Sequence, residues 1–304
     1  MSSQDHEQSN DTVRSIDMQA GRRAFLQTLG LTAAGVATLG GGVALTSSSA
    51  EAQAVTDTDI LNFALNLEYL EAEFYQVAAF GTPLPPNLTS GTGKLGVVIG
   101  GRQVTFATPL FQEYANEIAN DELAHVRLLR AVLRGARVAR PDINLRTSFT
   151  FAARAANLIG PSDTFDPFAN ENNFLLAAFI FEDVGVTAYK GAARLIVNKD
   201  VLDAAAGLLA VEAYHAAEIR TLLLGRGLQT EARKISNLRD SVDGASDLDQ
   251  GIEVDGEANI VPTDANGLVF SRNTDQVLKI VYLNGGGDGS RNGFFPSKLN
   301  GRIR

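Results

Sequence analysis

The sequence predicts an all-α protein built on a four-helix bundle, and three observations lead to this prediction. Four segments carry apolar residues at helical spacing. The first two segments share polar residues at matching positions with the last two, so the chain contains an internal repeat. The two halves are separated by a long connection, whereas only "NKD" at 198–200 separates the third segment from the fourth. We therefore expect a bundle with one long crossover, between its second and third helices.

The first predicted helix covers residues 57–80. Asp57 or Thr58 can cap its start, and Gly81 with Pro83 ends it. Residues 81–108 are rich in glycine and proline, and they contain "GVVIGGRQVTF" at 96–106. Short apolar runs on both sides of Gly100-Gly101 predict a small β-hairpin inserted between helices one and two.

The second helix is predicted to follow Pro109 and to end near Gly135. The crossover over 136–170 holds a candidate short helix around "SFTFAARAAN" at 148–157. The third and fourth helices are predicted over about 171–197 and 200–224. Beyond 235 the chain becomes rich in Gly, Asp, Asn and Ser, apart from the amphipathic piece "TDQVLKIVYLN" at 274–284. We therefore predict a bundle domain over 55–235 and an irregular C-terminal extension over 236–304 with one short helix.

Residues 1–54 are predicted to be an export signal. The pair Arg22-Arg23 precedes a mild apolar run rich in Gly, Ala and Thr, and Ala52 with Ala54 marks a cleavage site. This segment resembles a twin-arginine signal, which predicts passage through the twin-arginine machinery and a periplasmic or extracellular mature chain. The alternatives are a membrane anchor or a plain N-terminal tail. No later segment approaches the roughly 20 apolar residues of a membrane span.

Composition excludes several classes of site and partner. The 304 residues include no cysteine, so disulfides, thiolate metal sites and cysteine nucleophiles are excluded. Acidic residues outnumber basic ones by 35 to 26, for a net charge of −9. This charge argues against nucleic acid as a partner.

Two Glu-x-x-His motifs are the strongest functional signal in the sequence. His125 and His215, the two histidines outside the predicted signal, each have a glutamate three residues earlier, at Glu122 and Glu212. Each pair interrupts an apolar helical seam, so both side chains are expected to face the bundle interior. In the other two helices Glu68 and Glu182 occupy matching inward positions. The predicted metal ligands are Glu68, Glu122, His125, Glu182, Glu212 and His215.

Four carboxylates inside a bundle require compensation, because a buried charge without a partner is costly. Two divalent cations balance four carboxylates, with both imidazoles bound neutral. Dinuclear iron and manganese bundles use the same ligand set: one Glu from each of two helices, plus Glu-x-x-His from each of the other two. We therefore predict two Fe or Mn ions as cofactors; Zn is also compatible with these ligands.

The chain resembles the ferritin-like superfamily, and it is most similar to exported bacterial ferritin-like proteins related to plant desiccation-associated proteins. The resemblance covers roughly 57–301 and rests on the following motifs: "LNFALNLEYLEAEFY" (61–75), "NDELAHVRLLRAVL" (120–133), "FEDVGVTAYKGAA" (181–193), "VEAYHAAEIRTLLL" (211–224) and, more weakly, "GFFPSKLNG" (293–301). The six ligands carry over by motif position.

Two functions are compatible with these features. The first is an exported oxidoreductase that acts on dioxygen, peroxide or ferrous ions, in the manner of a ferroxidase or a manganese catalase. The second is a non-catalytic stress protein of the envelope with a structural metal site and an interaction role. A ferritin-like storage cage is less favoured, because the insertion and the C-terminal extension complicate a compact shell subunit. Whether the chain forms a homo-oligomer is left open.

Several neighbouring residues have weaker assignments. Tyr75 and Tyr189 are either core aromatics or redox-active or hydrogen-bonding neighbours of the ligands, and Glu71 is a candidate alternative or extra ligand. Glu73 is expected to be solvated. Three acids are candidate acceptors for the imidazole N–H groups: Asp121, Asp183 and Glu218. Arg130 and Arg220 are expected to pair with surface or rim acids.

Overall fold

A computed structural model describes residues 54–283 and 293–304. The predicted signal over 1–54 lies outside this range except for Ala54. In the described residues the α-helices are α1 (Asp57–Phe80), α2 (Pro109–Leu133), α3 (Thr147–Ala155), α4 (Glu171–Ala193), α5 (Lys199–Gly225), α6 (Gln229–Asp243) and α7 (Thr274–Val281).

A four-helix bundle forms the centre of the fold, which confirms the predicted class. Helix α1 packs along α2, α4 packs along α5, and α1 also contacts α4. The long crossover between α2 and α4 contains α3, close to the predicted short helix. The helix starts follow from local sequence: Thr56 and Asp59 form a capping box at α1, and Asn170 and Asn198 cap α4 and α5.

The predicted β-hairpin between helices one and two is wrong. Strand β1 (Val98–Ile99) pairs in parallel with β2 (Ile143–Asn144), which lies in the crossover. Nearby glycines allow this approach: a Cβ on Gly96 would lie 2.1 Å from the Asp142 nitrogen. The glycines of this segment therefore reflect close backbone packing against the crossover rather than a hairpin turn.

The C-terminal region is more ordered than the sequence suggested. The predicted boundary at residue 235 falls inside α6, and a short antiparallel pair joins β3 (Glu253–Val254) to β4 (Glu257–Ala258). Ile252, Val277 and Phe294 are buried in the same core as the bundle helices. The predicted extension is therefore packed against the bundle over its described residues. None of the described helices is both long enough and apolar enough to cross a membrane.

Candidate metal centre

The internal repeat is visible in the burial of α2 and α5. Residues 121–130 and 211–220 have the same sequence of buried, half-buried and exposed positions. Glu122 and His125 are buried in α2, and Glu212 and His215 are buried at the corresponding places in α5. Both Glu-x-x-His pairs therefore face the interior, as their apolar flanks predicted.

Helices α1 and α4 exchange hydrogen bonds across the bundle. The Tyr75 hydroxyl donates to Oε1 of Glu182, and the Tyr189 hydroxyl donates to Oε1 of Glu68. All four side chains are buried. Each tyrosine thus holds one oxygen of the carboxylate supplied by the other half of the repeat. The interpretation of these tyrosines as partners of the predicted ligands fits this geometry.

One half of the centre surrounds His125. Its Nδ1 lies 3.2 Å from Oε2 of Glu68, 3.5 Å from Oε1 of Glu122 and 3.9 Å from Oε1 of Glu212. These four residues can each supply one atom such that all the atoms lie within 4.8 Å of one another, close enough to hold a metal ion. The two Glu-x-x-His motifs and α1 therefore converge on one point.

The other half surrounds His215. Its Nδ1 lies 3.2 Å from Oε1 of Glu122 and 3.6 Å from Oε2 of Glu182. Oε1 of Glu122 is therefore near both imidazole Nδ1 atoms, and the two rings lie 6.2 Å apart between centroids. The structure brings all six predicted ligands together in two adjoining halves that share Glu122.

The donor atoms of this cluster fit a pair of cations. Eight of its buried polar atoms have no hydrogen-bond partner: Glu68 Oε2, both carboxylate oxygens of Glu122 and of Glu212, Glu182 Oε2, and Nδ1 of His125 and of His215. A buried polar atom without a partner costs about 1–3 kcal/mol, more when it is charged. Eight such atoms around one point favour bound divalent cations, whose ligands are carboxylate oxygens and neutral imidazole.

Asp121 fits the predicted role of an acceptor for an imidazole. Its Oδ2 lies 3.3 Å from Nε2 of His215, so a proton on Nε2 leaves the Nδ1 lone pair free. Asp183 does not serve His125 or His215 in this way, because it binds Arg220 and Arg239. In the described part of the chain no hydrogen bond or ion pair joins Glu218 to either imidazole. Burial and the nearby carboxylate of Glu117 raise the pKa of Glu218 to about 7.

The repeat is broken at one position inside the centre. Glu71 is buried, and its counterpart in the second half is Gly185. A Cβ on Gly185 would lie only 2.0 Å from Oε2 of Glu212, so the carboxylate occupies the space of the missing side chain. Glu71 thus adds a fifth buried carboxylate on one side only. Aligning the two halves could have identified Gly185 from sequence.

Two weaker expectations from the sequence are wrong. Glu73 is fully buried rather than solvated, and it pairs with Arg140 of the crossover and accepts a bond from the Leu84 backbone N–H. Arg130 is also buried, and it donates to the Tyr69 hydroxyl and to backbone carbonyls rather than to a surface acid. Arg220 does pair with an acid, Asp183, but in the interior.

Without bound cations, burial favours protonation of every buried carboxylate of the cluster except that of Glu122. Burial, reinforced by Glu122, raises the pKa of Glu68 to about 7, and burial raises the pKa of Glu212 well above its ordinary value. Burial alone would lower the pKa of His125, but the carboxylates of Glu68 and Glu122 outweigh it and raise that pKa to about 12. Burial would raise the pKa of Glu122, but the two imidazoles hold it low.

The metal-free protein is therefore expected to lose stability as pH rises. The pKa of Glu68 is raised from 4.5 to about 7, so its contribution to stability is complete below 4.5 and is lost as pH rises through about 7. The raised pKa of His125 acts in the same direction. Thermal unfolding should therefore give a lower Tm at about pH 8 than at about pH 5. Metal-loaded protein should show a smaller decrease, and a Tm that rises with pH in metal-free protein would contradict the expectation.

Comparison with known proteins covers most of the chain. A family model described as "Ferritin-like domain" matches residues 56–225, which include all six predicted ligands. The chain is 33% identical to "Desiccation-related protein PCC13-62" of Craterostigma plantagineum over 247 residues, 73% of this chain and 76% of that protein. It is 29% identical to "Ferritin-like catalase Nec2" of Nesocodon mauritianus over 272 residues, 81% of this chain and 84% of that protein. No solved structure matches significantly.

Proposed function

We propose a function for this chain from the fact that it belongs to the ferritin-like domain family. In this proposal the chain is an oxidoreductase that has a dinuclear Fe or Mn centre and acts on hydrogen peroxide. The observation that carries the proposal is the set of eight buried donor atoms without partners, arranged in two halves around Glu122. The likeness to a protein named as a ferritin-like catalase supports peroxide as the first substrate to test.

The chain's own residues suit this role. Bound Fe or Mn would supply the two-electron redox chemistry that converts two molecules of hydrogen peroxide into two of water and one of dioxygen. Tyr75 and Tyr189 orient the carboxylates of Glu182 and Glu68, so that the second oxygen of each faces the centre. Asp121, with its side chain 45% exposed, links Nε2 of His215 to solvent.

Because the chain has no cysteine, the electrons for its reaction come either from a partner or from the substrate itself. The chain has no thiol pair to hold an iron–sulfur or rubredoxin-like electron donor. Disproportionation needs none, because one peroxide is oxidised while the other is reduced. Oxidation of ferrous ions by dioxygen also takes its electrons from the substrate, and it is the second reaction to test.

Metal content and turnover of the natively purified mature chain test the proposal. We expect about two Fe or Mn ions per chain, one dioxygen released for every two peroxides consumed, and loss of both metal and turnover on chelation. Peroxide that is not consumed by the Mn- or Fe-loaded protein would reject the catalase reaction. Ferrous oxidation should be assayed on the same samples, since it would assign the centre to iron chemistry.

A non-catalytic stress protein is the second candidate. The 33% identity to a protein named as desiccation-related favours it, together with a C-terminal region packed onto the bundle. In that case the cations would neutralise the buried carboxylates and stabilise the fold. Stoichiometric metal and a metal-dependent Tm, without turnover of peroxide or ferrous ions, would select this function.

Export is part of the proposal. Passage through the twin-arginine machinery to the periplasm or the cell exterior is supported by three features: the pair Arg22-Arg23, the apolar run and the cleavage site at Ala52 and Ala54. Such a route allows the metal to be bound before export. An Arg22→Lys/Arg23→Lys chain should remain in the cytoplasm uncleaved, and its normal export would reject this part.

A further inference from the structure

A cavity of about 610 Å³ lies between the segment that follows β1 and the crossover, and its described lining residues include none of the six predicted metal ligands. Parallel pairing of β1 with β2 brings the ends of both strands to one edge. Arg102 and Arg146, which follow the two strands, therefore line the same cavity. Gly100 has a φ of +91°, and a Cβ there would lie 2.9 Å from Cβ of Arg146, so glycine permits this close approach.

One face of α3 forms another wall of the cavity. Thr147, Thr150, Phe151 and Arg154 are spaced by three or four residues, so they share one side of the helix, and all four line the cavity. The Thr150 hydroxyl donates to the Phe165 carbonyl at 3.1 Å and accepts from the Phe165 N–H at 3.2 Å. These bonds hold the loop that contains Phe165 against α3, so contacts within the protein fix the walls.

Positive charge exceeds negative charge in this cavity. Three arginines line it, Arg102, Arg146 and Arg154, whereas Asp166 is the single acid among its described lining residues. Both oxygens of Asp166 already have donors, since Oδ1 accepts from the Phe168 N–H and Oδ2 accepts from Arg102 at 2.7 Å. Three positive charges and one negative charge leave the lining with a net charge of +2, in a chain whose net charge is −9.

Several N–H and O–H groups of the lining remain available to a ligand. Arg154 donates from Nε to the Asp163 carbonyl, which leaves its two Nη groups. Within the residues that the structure describes, the Arg146 side chain has neither a hydrogen bond nor an ion pair. The Thr147 hydroxyl accepts from the Asn144 amide at 2.6 Å and keeps its own hydrogen for another acceptor. These donors suit an anionic oxygen.

An aromatic ring without an aromatic partner lies beside these donors. Phe151 is half-buried, and over the described parts of the chain its ring neither contacts another ring nor packs against the core. The volume of about 610 Å³ lies within the roughly 300–1,000 Å³ of small-molecule sites. The cavity thus offers an apolar contact next to its arginines, which suits a ligand with a charged part and an apolar part.

We propose that this cavity binds a small organic phosphate monoester, with its phosphate on the arginines and its apolar group on Phe151. A phosphate monoester carries about 1.5–2 negative charges at pH 7, which matches the net charge of the lining. Guanidinium groups bind phosphate oxygens through pairs of N–H···O bonds, and Arg146 and Arg154 have such N–H groups available. Because this site is separate from the metal centre, the inference does not depend on the proposed function.

Calorimetric titration of the mature chain with phenyl phosphate tests the proposal. We expect saturable binding of one phenyl phosphate per chain, and an affinity at least about tenfold lower in Arg146→Gln/Arg154→Gln protein, which loses hydrogen bonds to a charged group. Arg194→Gln/Lys199→Gln is the matched control, because it removes the same charge from exposed positions between α4 and α5 and should bind like wild type. No binding by wild type, or an equal affinity in all three proteins, would overturn the proposal.

Phe151→Ser separates the apolar contact from the charge. This variant should bind phenyl phosphate about two- to tenfold more weakly than wild type, because the contact between the rings is lost. Its affinity for inorganic phosphate should be unchanged. An equal loss of affinity for both probes would contradict the assigned role of Phe151 and overturn the proposal.

The phosphate monoester can be a soluble compound or the head group of phosphatidic acid. Sedimentation with vesicles of phosphatidylcholine, with and without phosphatidic acid, distinguishes these two sources. Sedimentation that requires phosphatidic acid and is lost in Arg146→Gln/Arg154→Gln protein would support the lipid head group. Binding of phenyl phosphate without sedimentation would support a soluble phosphate.

Discussion

Glu122→Gln/Glu212→Gln protein is expected to purify with almost no metal and to lose peroxide turnover. Glu122 contacts both imidazole Nδ1 atoms, and Glu212 contributes two further buried oxygens without partners. Removal of a group that only orients a metal ligand lowers metal affinity by about 10–100-fold. Removal of two predicted ligand carboxylates should therefore lower metal affinity by more than about 100-fold. Elemental analysis and dioxygen release, measured on the same preparation, check both expectations.

The stability of the same variant separates a metal site from a structural polar cluster. Glutamine keeps the volume of glutamate but removes the Glu122 carboxylate from between the two imidazoles, so the metal-free variant should unfold at a lower Tm than metal-free wild type. Wild type should gain stability on addition of Mn²⁺ or Fe²⁺, and the variant should not.

A matched control exists on the same two helices. Glu113 and Asp203 occupy corresponding exposed positions in the repeat, so Glu113→Gln/Asp203→Asn removes the same charge and should retain metal and turnover. Undiminished metal in the Glu122→Gln/Glu212→Gln protein would rule out these carboxylates as ligands.

The inward placement of the six predicted ligands could be predicted from sequence because these residues follow the helical period. Each of the two histidines outside the predicted signal has a glutamate at i−3, and each pair lies within an apolar helical seam. Once α2 and α5 are helical, both pairs therefore face inward. The contacts from Tyr75 to Glu182 and from Tyr189 to Glu68 were harder to foresee. Each joins residues more than 100 positions apart, and helical periodicity gives no information about which distant groups meet.

The predictions from sequence were wrong where buried positions are stabilised by long-range polar contacts and do not follow an apolar helical period. Glu73 appeared solvated because its partner, Arg140, comes from the crossover. Helix α6 was missed in part because its buried positions include Ser236, Arg239 and Asp243, so its sequence lacks the apolar stripe of a packed helix. From sequence alone, a charged residue is predicted to be exposed unless its buried partner is known.

Those buried charges form an ion-pair network that attaches the C-terminal region to the bundle. Arg220 and Arg239 both bind Oδ2 of Asp183 on α4, at 2.8 Å each. Arg239 also pairs with Asp249, and Arg272 pairs with Asp249 and with Asp243, in the latter case at 2.7 Å. Three arginines thus balance three aspartates. Although Asp240, Asp243 and Asp249 lie close enough to hold a cation, Arg239 and Arg272 already supply the positive charge.

Arg272→Met is therefore expected to destabilise the fold by about 3–5 kcal/mol, the usual cost of breaking a buried ion pair on one side. The change leaves Asp243 and Asp249 without that partner, and it removes a hydrogen bond to the Thr187 hydroxyl on α4. Denaturant unfolding of metal-free protein gives the free energy directly. Lys94→Met is the control, because its pair with Asp142 has a 74% exposed lysine and should contribute about 0–1 kcal/mol.

A double variant distinguishes an unpaired charge from a lost packing contact. Arg272→Met/Asp243→Asn removes the arginine and one of its acids, which leaves two arginines and two aspartates, so most of the destabilisation should disappear if an unpaired carboxylate causes it. Arg239 keeps both Asp183 and Asp249 as acidic partners. If the double variant is as unstable as Arg272→Met, the arginine stabilises the fold through its packing and its bond to Thr187 instead. An Arg272→Met protein with the stability of the Lys94→Met control would show that this network does not hold the C-terminal region on the bundle.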